Sequence, residues 1–183
     1  MTILHIDASI TGENSASRAI SRSITDQVAG GQADARVVYR DLAADPLPHL
    51  TLDAFADTTI LDEFLAADTI VIGAPMYNFT LPSQLKSWID RILVAGTTFR
   101  YTEAGPEGLA GGKRVIIGLA RGGRYDAGSP AAALEHLETY LRGIFNFIGV
   151  EPEFVAADGL NFGPEQREQS LSQALGETVR LAA

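Results

Sequence analysis

The chain has 183 residues, 46% of them hydrophobic and 20% charged, which suits one well-packed domain and excludes a disordered chain. A formal net charge of −9 excludes a general nucleic-acid binder, which needs a basic face. With no cysteine, disulfides, thiolate catalysis and thiolate metal sites are excluded, and no apolar run reaches the roughly 18–20 residues of a membrane helix.

The N-terminus, MTILHIDAS, lacks the basic start and small-residue cleavage site of a signal peptide, so a cytoplasmic location is expected. Segment 3–9, ILHIDAS, is a short apolar run that reads as a buried strand. The stretch SITGENSAS, 9–17, is rich in hydroxyls and opens a helix over 15–29 with Ile20, Ile24 and Val28 on one face. Asn14 or Ser15 is the expected cap. Free N–H groups and the dipole at such a start favour a phosphate, to which Ser9, Ser15 and Ser17 can add hydroxyls. An ordinary capped turn without a ligand reads the same way.

ARVVYRDL, 35–42, is the second strand, and Ile60, Leu61, Phe64 and Leu65 form a shorter helical stripe. DTIVIGAP, 68–75, is the third strand. It runs into Met76, Tyr77, Asn78 and Phe79, ahead of a helix that begins near Pro82 and carries Leu85, Trp88, Ile89, Ile92 and Leu93. Such apolar residues commonly plug a core. Asn78, however, is a poor core filler without partners, and aromatic edges, a thioether and backbone N–H groups can cradle a planar heterocycle.

Residues 95–112 are the longest irregular stretch, which predicts a functional or mobile loop. KRVIIGLA, 113–120, is the fourth strand, followed by ARGGRYDAGSP, 120–130. Gly122–Gly123 makes an ordinary turn or lets backbone approach a ligand closely, while Arg121 and Arg124 are either solvated or meet an anion. Leu134, Leu137, Leu141, Ile144, Phe145 and Ile148 predict a long helix after Ser129–Pro130. EPEFVAADG, 151–159, is the fifth strand, and Leu171, Leu175 and Leu181 mark a last helix after Gly163–Pro164.

Strand and helix alternate five times without a composition break, so residues 1–183 are expected to form one α/β domain with a parallel sheet covered on both faces. The common five-strand solution is the flavodoxin-like order 2-1-3-4-5, with ligands beyond the carboxyl ends of the strands. The three loops after strands one, three and four are then expected to meet on one flat, phosphorylated cofactor. There is no P-loop, no glycine-rich dinucleotide turn after strand one and no zinc-protease pattern. His5, His49 and His136 are scattered, His5 expected within strand one and His136 exposed on a helix, so no metal site is expected. A triad of Ser9, His5 and Asp7 is disfavoured by strand geometry and by the lack of a nucleophile elbow.

APMYNF (74–79) followed by QLKSWID (84–90), GTTFRYTEAGPEGL (96–109), RGG (121–123) and DLAADPLP (41–48) resemble the FMN-dependent NADH-azoreductases, also called FMN-dependent NADH:quinone oxidoreductases. The resemblance spans nearly the whole chain. It implies a flavodoxin-like homodimer that passes hydride from NADH or NADPH through bound FMN to quinones and azo compounds, with ping-pong two-electron turnover. It places phosphate and ribityl contacts on Ser9, Ser15, Ala16 and Ser17, and ring contacts on Met76, Tyr77, Asn78, Phe79, Ala120, Arg121, Gly122 and Gly123. Backbone N–H groups of Gly122 and Gly123 are expected to support negative charge on the reduced flavin. Phe99, Tyr101 and Phe162 are candidate substrate walls, or simply loop-packing aromatics. The sequence departs from the family's pattern at Ala120, where serine is common, and in a shortened segment between Pro48 and strand three. A flavodoxin-type electron carrier without nicotinamide activity is the alternative reading. No nucleic-acid or membrane partner is expected.

Overall fold

The computed structural model describes residues 1–182. Five parallel strands form the sheet: β1 (Thr2–Asp7), β2 (Arg36–Asp41), β3 (Thr69–Pro75), β6 (Arg114–Ala120) and β7 (Glu153–Ala157). Their order is β2-β1-β3-β6-β7, the expected 2-1-3-4-5 arrangement. The helices are α1 (Ala16–Gly30), α2 (Thr59–Ala66), α3 (Ser83–Ile92), α4 (Glu138–Phe147) and α5 (Pro164–Thr178).

Two apolar layers cover the sheet. On one face Leu4, Ile6, Ile70, Ile72, Val115, Ile117 and Leu119 pack against Phe64 of α2, Trp88 of α3 and Phe145 of α4. On the other, Ile3, Val71, Ile116 and Val155 meet Ile20 and Ile24 of α1 and Ala174 of α5. Successive strand residues thus feed opposite layers, as the period of two requires. β1, β3 and β6 are buried on both faces, but β2 is not: as the edge strand it leaves Val37 and Tyr39 about half exposed. Close approach of α1 to β3 depends on Gly73, where a Cβ would lie 2.3 Å from Asp7 Oδ1 and 3.0 Å from the Ser17 carbonyl oxygen.

Two elements differ from the sequence reading. The stretch 95–112 carries a β-hairpin, β4 (Phe99–Thr102) paired antiparallel with β5 (Gly105–Gly108). The fourth helix starts at Glu138 rather than after Pro130. Leu134 ends a 3₁₀ turn and is 42% exposed, so its apolar spacing was not a continuation of the helix. Glu135 accepts from the N–H groups of Leu137, Glu138 and Thr139 and so supplies the start signal. His136 is exposed, but it lies in the turn before α4.

Candidate functional site

The carboxyl ends of β1, β3 and β6 lead into three loops that line one cleft of about 340 Å³, closed from below by the turn after β7. From the first loop come Ser9, Thr11, Asn14, Ser15 and Ala16, from the second Pro75, Met76 and Tyr77, and from the third Ala120 and Gly122. Ser9 of the first loop and Ser17 in the first turn of α1 are buried to 1% and 0% exposure, and Ser17 lies behind the cleft lining. Ser15 caps α1 by accepting from the Arg18 N–H, and its hydroxyl shares a hydrogen bond with that of Ser17. Among the described residues, the N–H groups of Ala16 and Ser17 donate to no protein acceptor. Two free donors at the positive end of a 15-residue helix form an anion-binding corner.

Tyr77 ties two loops together. Its hydroxyl is 3.3 Å from Ser9 Oγ and accepts from the Ile10 N–H at 3.1 Å. Beyond it, Tyr77 and Thr80 exchange backbone hydrogen bonds around Asn78 and Phe79, whose φ values are +47° and +72°. This is a tight two-residue turn with both central residues left-handed, a conformation that strains a phenylalanine. It is held from outside, because the His136 N–H donates to the Phe79 carbonyl and the Thr80 hydroxyl donates to that of His136. Asn78 and Phe79 are therefore exposed at the rim, not core plugs. Phe79 meets Tyr125 edge-on with ring centroids 6.4 Å apart.

The third loop is fixed by backbone pairing. Arg121 N–H donates to the Ala157 carbonyl, and the Leu160, Asn161 and Gly159 N–H groups donate to the carbonyls of Arg121, Gly122 and Gly123. The N–H groups of Gly122 and Gly123 have no protein acceptor among the described residues. Gly122 also admits no side chain without displacement, since a Cβ there would lie 2.3 Å from Asn161 Nδ2.

Arg121 itself departs from the expected ring or anion contact. Its side chain is buried, pairing with both Asp158 oxygens, with Glu138 at 3.2 Å and with Glu135 at 3.6 Å. Burial disfavours its charge, but these carboxylates more than compensate and hold its pKa above the ordinary guanidinium value. With its donors engaged by carboxylates, the residue contributes backbone to the site and an anchor beneath it.

A second cleft, about 610 Å³, is lined by the chain neighbours of two residues of the first, Gly123 after Gly122 and Phe162 after Asn161. Gly123, Arg124, Tyr125, Ser129, Pro130 and Phe162 line it. Phe162 is 61% exposed and lines this cleft. Phe99 and Tyr101 do not. They lie on β4, where Phe99 packs on Phe147 near the end of α4, at the opposite rim of the sheet. Sequence reading missed Thr11, Asn14, Leu160, Asn161 and Arg167 in the first cleft and Tyr125 in the second. For Leu160, Asn161 and Arg167 the missing signal was the fifth loop, since β7 also ends at this rim.

His5, Asp7 and Ser21 do form a hydrogen-bonded chain, His5 Nε2 to Ser21 Oγ at 3.0 Å and Ser21 Oγ to Asp7 Oδ1 at 2.7 Å. The pleat puts His5 and Asp7 on one face, but the serine is Ser21, not Ser9, and all three are buried. Among the described residues no group of three or more His, Cys, Asp or Glu is placed to hold a metal.

A family profile described as a flavodoxin-like fold matches residues 1–181. The FMN-dependent NADH:quinone oxidoreductase 2 of Bradyrhizobium diazoefficiens is 52% identical over 201 aligned positions, covering 100% of both chains. The FMN-dependent NADH:quinone oxidoreductase of Methylorubrum populi is 52% identical over 202 positions, again covering both chains fully. Both alignments exceed the 183 residues of this chain, so these relatives carry sequence that it lacks. Among solved structures, an azoreductase from Bacillus anthracis strain Sterne superposes with a TM-score of 0.89 at 29% identity, covering 100% of this chain and 98% of that one. An FMN-dependent NADH-azoreductase from Bacillus anthracis strain Ames Ancestor, solved with FMN, gives 0.86 at 25% identity over 100% and 99%. With half its residues identical over the full length of such relatives, the chain belongs to the FMN-dependent NADH:quinone oxidoreductase family of the flavodoxin-like fold.

Proposed function

We propose that this chain is an FMN-dependent oxidoreductase that uses NADH to reduce quinones and azo compounds, with residues 1–183 forming one FMN-binding domain. The observation that carries the reading is the meeting, around one cleft, of buried hydroxyls from the first loop with free backbone donors at the start of α1 and at Gly122. The cleft fits FMN on this structure's own terms. The corner at Ser15, Ala16 and Ser17 suits a phosphate, and the unpaired N–H groups of Gly122 and Gly123 suit the polar edge of a planar ring.

Bound FMN would supply hydride acceptance from the nicotinamide and two-electron delivery to the acceptor. The chain's residues bind and orient. Ser9, Ser15 and Ser17 and the amides of Ala16 and Ser17 hold the phosphate. Met76 and Tyr77 flank the ring. The Asn78 side chain, exposed and without a partner among the described residues, is free to bond the ring's polar edge. Backbone donors at Gly122 and Gly123 favour negative charge at that edge without reorganising. Ala120 offers no hydroxyl, so the contact there is through backbone.

The acceptor enters from the second cleft, bounded by Phe162 and Tyr125. Ile10, Leu52, Phe55, Phe79 and Phe162 leave more than two-fifths of their surface exposed, and a second copy of the chain is the proposed cover. Light scattering on the FMN-loaded protein checks the dimer. The activity is tested by FMN titration followed by anaerobic stopped flow with NADH, then a quinone or an azo dye. Bleaching of the flavin by NADH and its return with the acceptor are expected. Failure to take up FMN, or an FMN form that NADH leaves oxidised, overturns the proposal.

A further inference from the structure

We propose that Arg124 receives the pyrophosphate of the incoming nicotinamide dinucleotide; this rests on the function proposed above and assigns a part of the co-substrate to the second cleft. Arg18, Arg121, Arg124 and Arg167 lie at the loops of this rim and Arg100 on the β4–β5 hairpin, and each has the chemistry for a phosphate. The structure separates them. Arg121 is buried and committed to Asp158, Glu138 and Glu135. Arg100 makes a two-point pair with Glu107 across the β4–β5 hairpin, away from the cleft. Arg124 makes no ion pair and no side-chain hydrogen bond among the described residues, and it is exposed. Its Nε lies 3.7 Å from the position a Cβ on Gly159 would take, which sets the guanidinium beside the turn that carries Phe162.

Location then decides. Arg124 lines the 610 Å³ cleft together with Tyr125 and Phe162, and Gly123 and Phe162 of that cleft directly follow Gly122 and Asn161 of the smaller one. A nicotinamide seated over the smaller cleft would leave its phosphates over the larger. Arg167 lines the first cleft and already donates to the Asn14 carbonyl, and Arg18 is committed to Asp41 and the Ser9 carbonyl. Asp126 and Asp158 border Arg124 in a third, smaller hollow but stay beyond ion-pair distance, and Asp158 is held by Arg121. In a protein of net charge −9 most of the surface repels a dinucleotide, so an unpaired planar cation at the mouth is the feature an anionic co-substrate requires.

The test compares wild type, Arg124→Ala and Arg124→Lys as FMN-loaded protein. Stopped flow gives the apparent Kd for NADH, for NADPH and for 1-benzyl-1,4-dihydronicotinamide, a hydride donor without phosphate. Calorimetry with NAD⁺ gives binding without turnover. Arg124→Ala should weaken NADH, NADPH and NAD⁺ alike by roughly tenfold or more, the worth of a charge-assisted phosphate contact. The limiting reduction rate, the FMN affinity and the benzyl donor should stay within about twofold, and Arg124→Lys should recover part of the loss. A loss confined to NADPH would place Arg124 at a 2′-phosphate and overturn the assignment. So would an equal loss with the benzyl donor, or no loss at all. If wild type binds no FMN, the functional reading falls first, and the two failures are told apart by that titration.

Discussion

Arg121→Met should unfold more readily and hold FMN less well, although the side chain never faces the cleft. The substitution keeps the apolar stem and leaves Asp158, Glu138 and Glu135 around a missing cation. Breaking a fully buried ion pair by removing one partner costs about 3–5 kcal/mol. Here the Glu135 side chain is 10% exposed, but those of Asp158 and Glu138 are 31% and 29% exposed, so water recovers part of the loss. A net destabilisation of about 2–4 kcal/mol follows, or roughly 5–15 °C in Tm for a chain of this size. The sign with pH is fixed. Burial alone would raise the Glu135 pKa, but the N–H groups of Thr139, Glu138 and Leu137 and the Thr139 hydroxyl hold it below the ordinary carboxylate value. A group depressed in the folded state adds stability above its unfolded pKa and loses it as pH falls through the lower folded one. Without the Arg121 cation 3.6 Å away, the buried Glu135 carboxylate takes up a proton sooner in the folded variant. The gap between variant and wild type should narrow from pH 7 toward pH 5. Urea unfolding of the FMN-free proteins at both pH values measures it, with FMN affinity followed by fluorescence. A loss below about 1 kcal/mol, equal at both pH values, would refute the anchoring argument.

The other consequences are simpler to test. Ser9→Ala should weaken FMN binding by about 1–2 kcal/mol, and an unaltered dissociation constant would reduce Ser9 to a loop residue paired with Thr11 and Tyr77. Gly122→Val should push Asn161 into the cleft and raise the FMN dissociation constant about tenfold or more with little change in urea midpoint; a normal titration removes the proposed role of that backbone. Gly73→Ala should destabilise the fold by about 2 kcal/mol or more, because both the Asp7 carboxylate and the Ser17 backbone must give way. A wild-type midpoint would mean that α1 sits farther from β3 than described.

The alternation of ILHID, DTIVIGAP and KRVIIGLA with helical stripes was sufficient to predict the parallel sheet, because each segment carries its periodicity within itself. The strand order and the rim where loops gather came instead from the common five-strand arrangement, since periodicity does not encode which strands are neighbours. Where local signals ran together, reading failed. Leu134 extended an apolar spacing that Glu135 ends, and the hairpin at 99–108 hid behind Gly105 and Pro106, poor strand formers. The site was legible as three loops but not as roles. Nothing near Arg121 announces partners at 135, 138 and 158, and nothing in PMYNF announces that Phe79 takes a left-handed turn braced by His136. Nor does RGGR, 121–124, distinguish a saturated arginine from a free one three residues on. Which charges meet depends on how α4 and the turn after β7 come to rest on the sheet. That is set by side-chain packing between elements distant in the chain, and only the tertiary structure contains it.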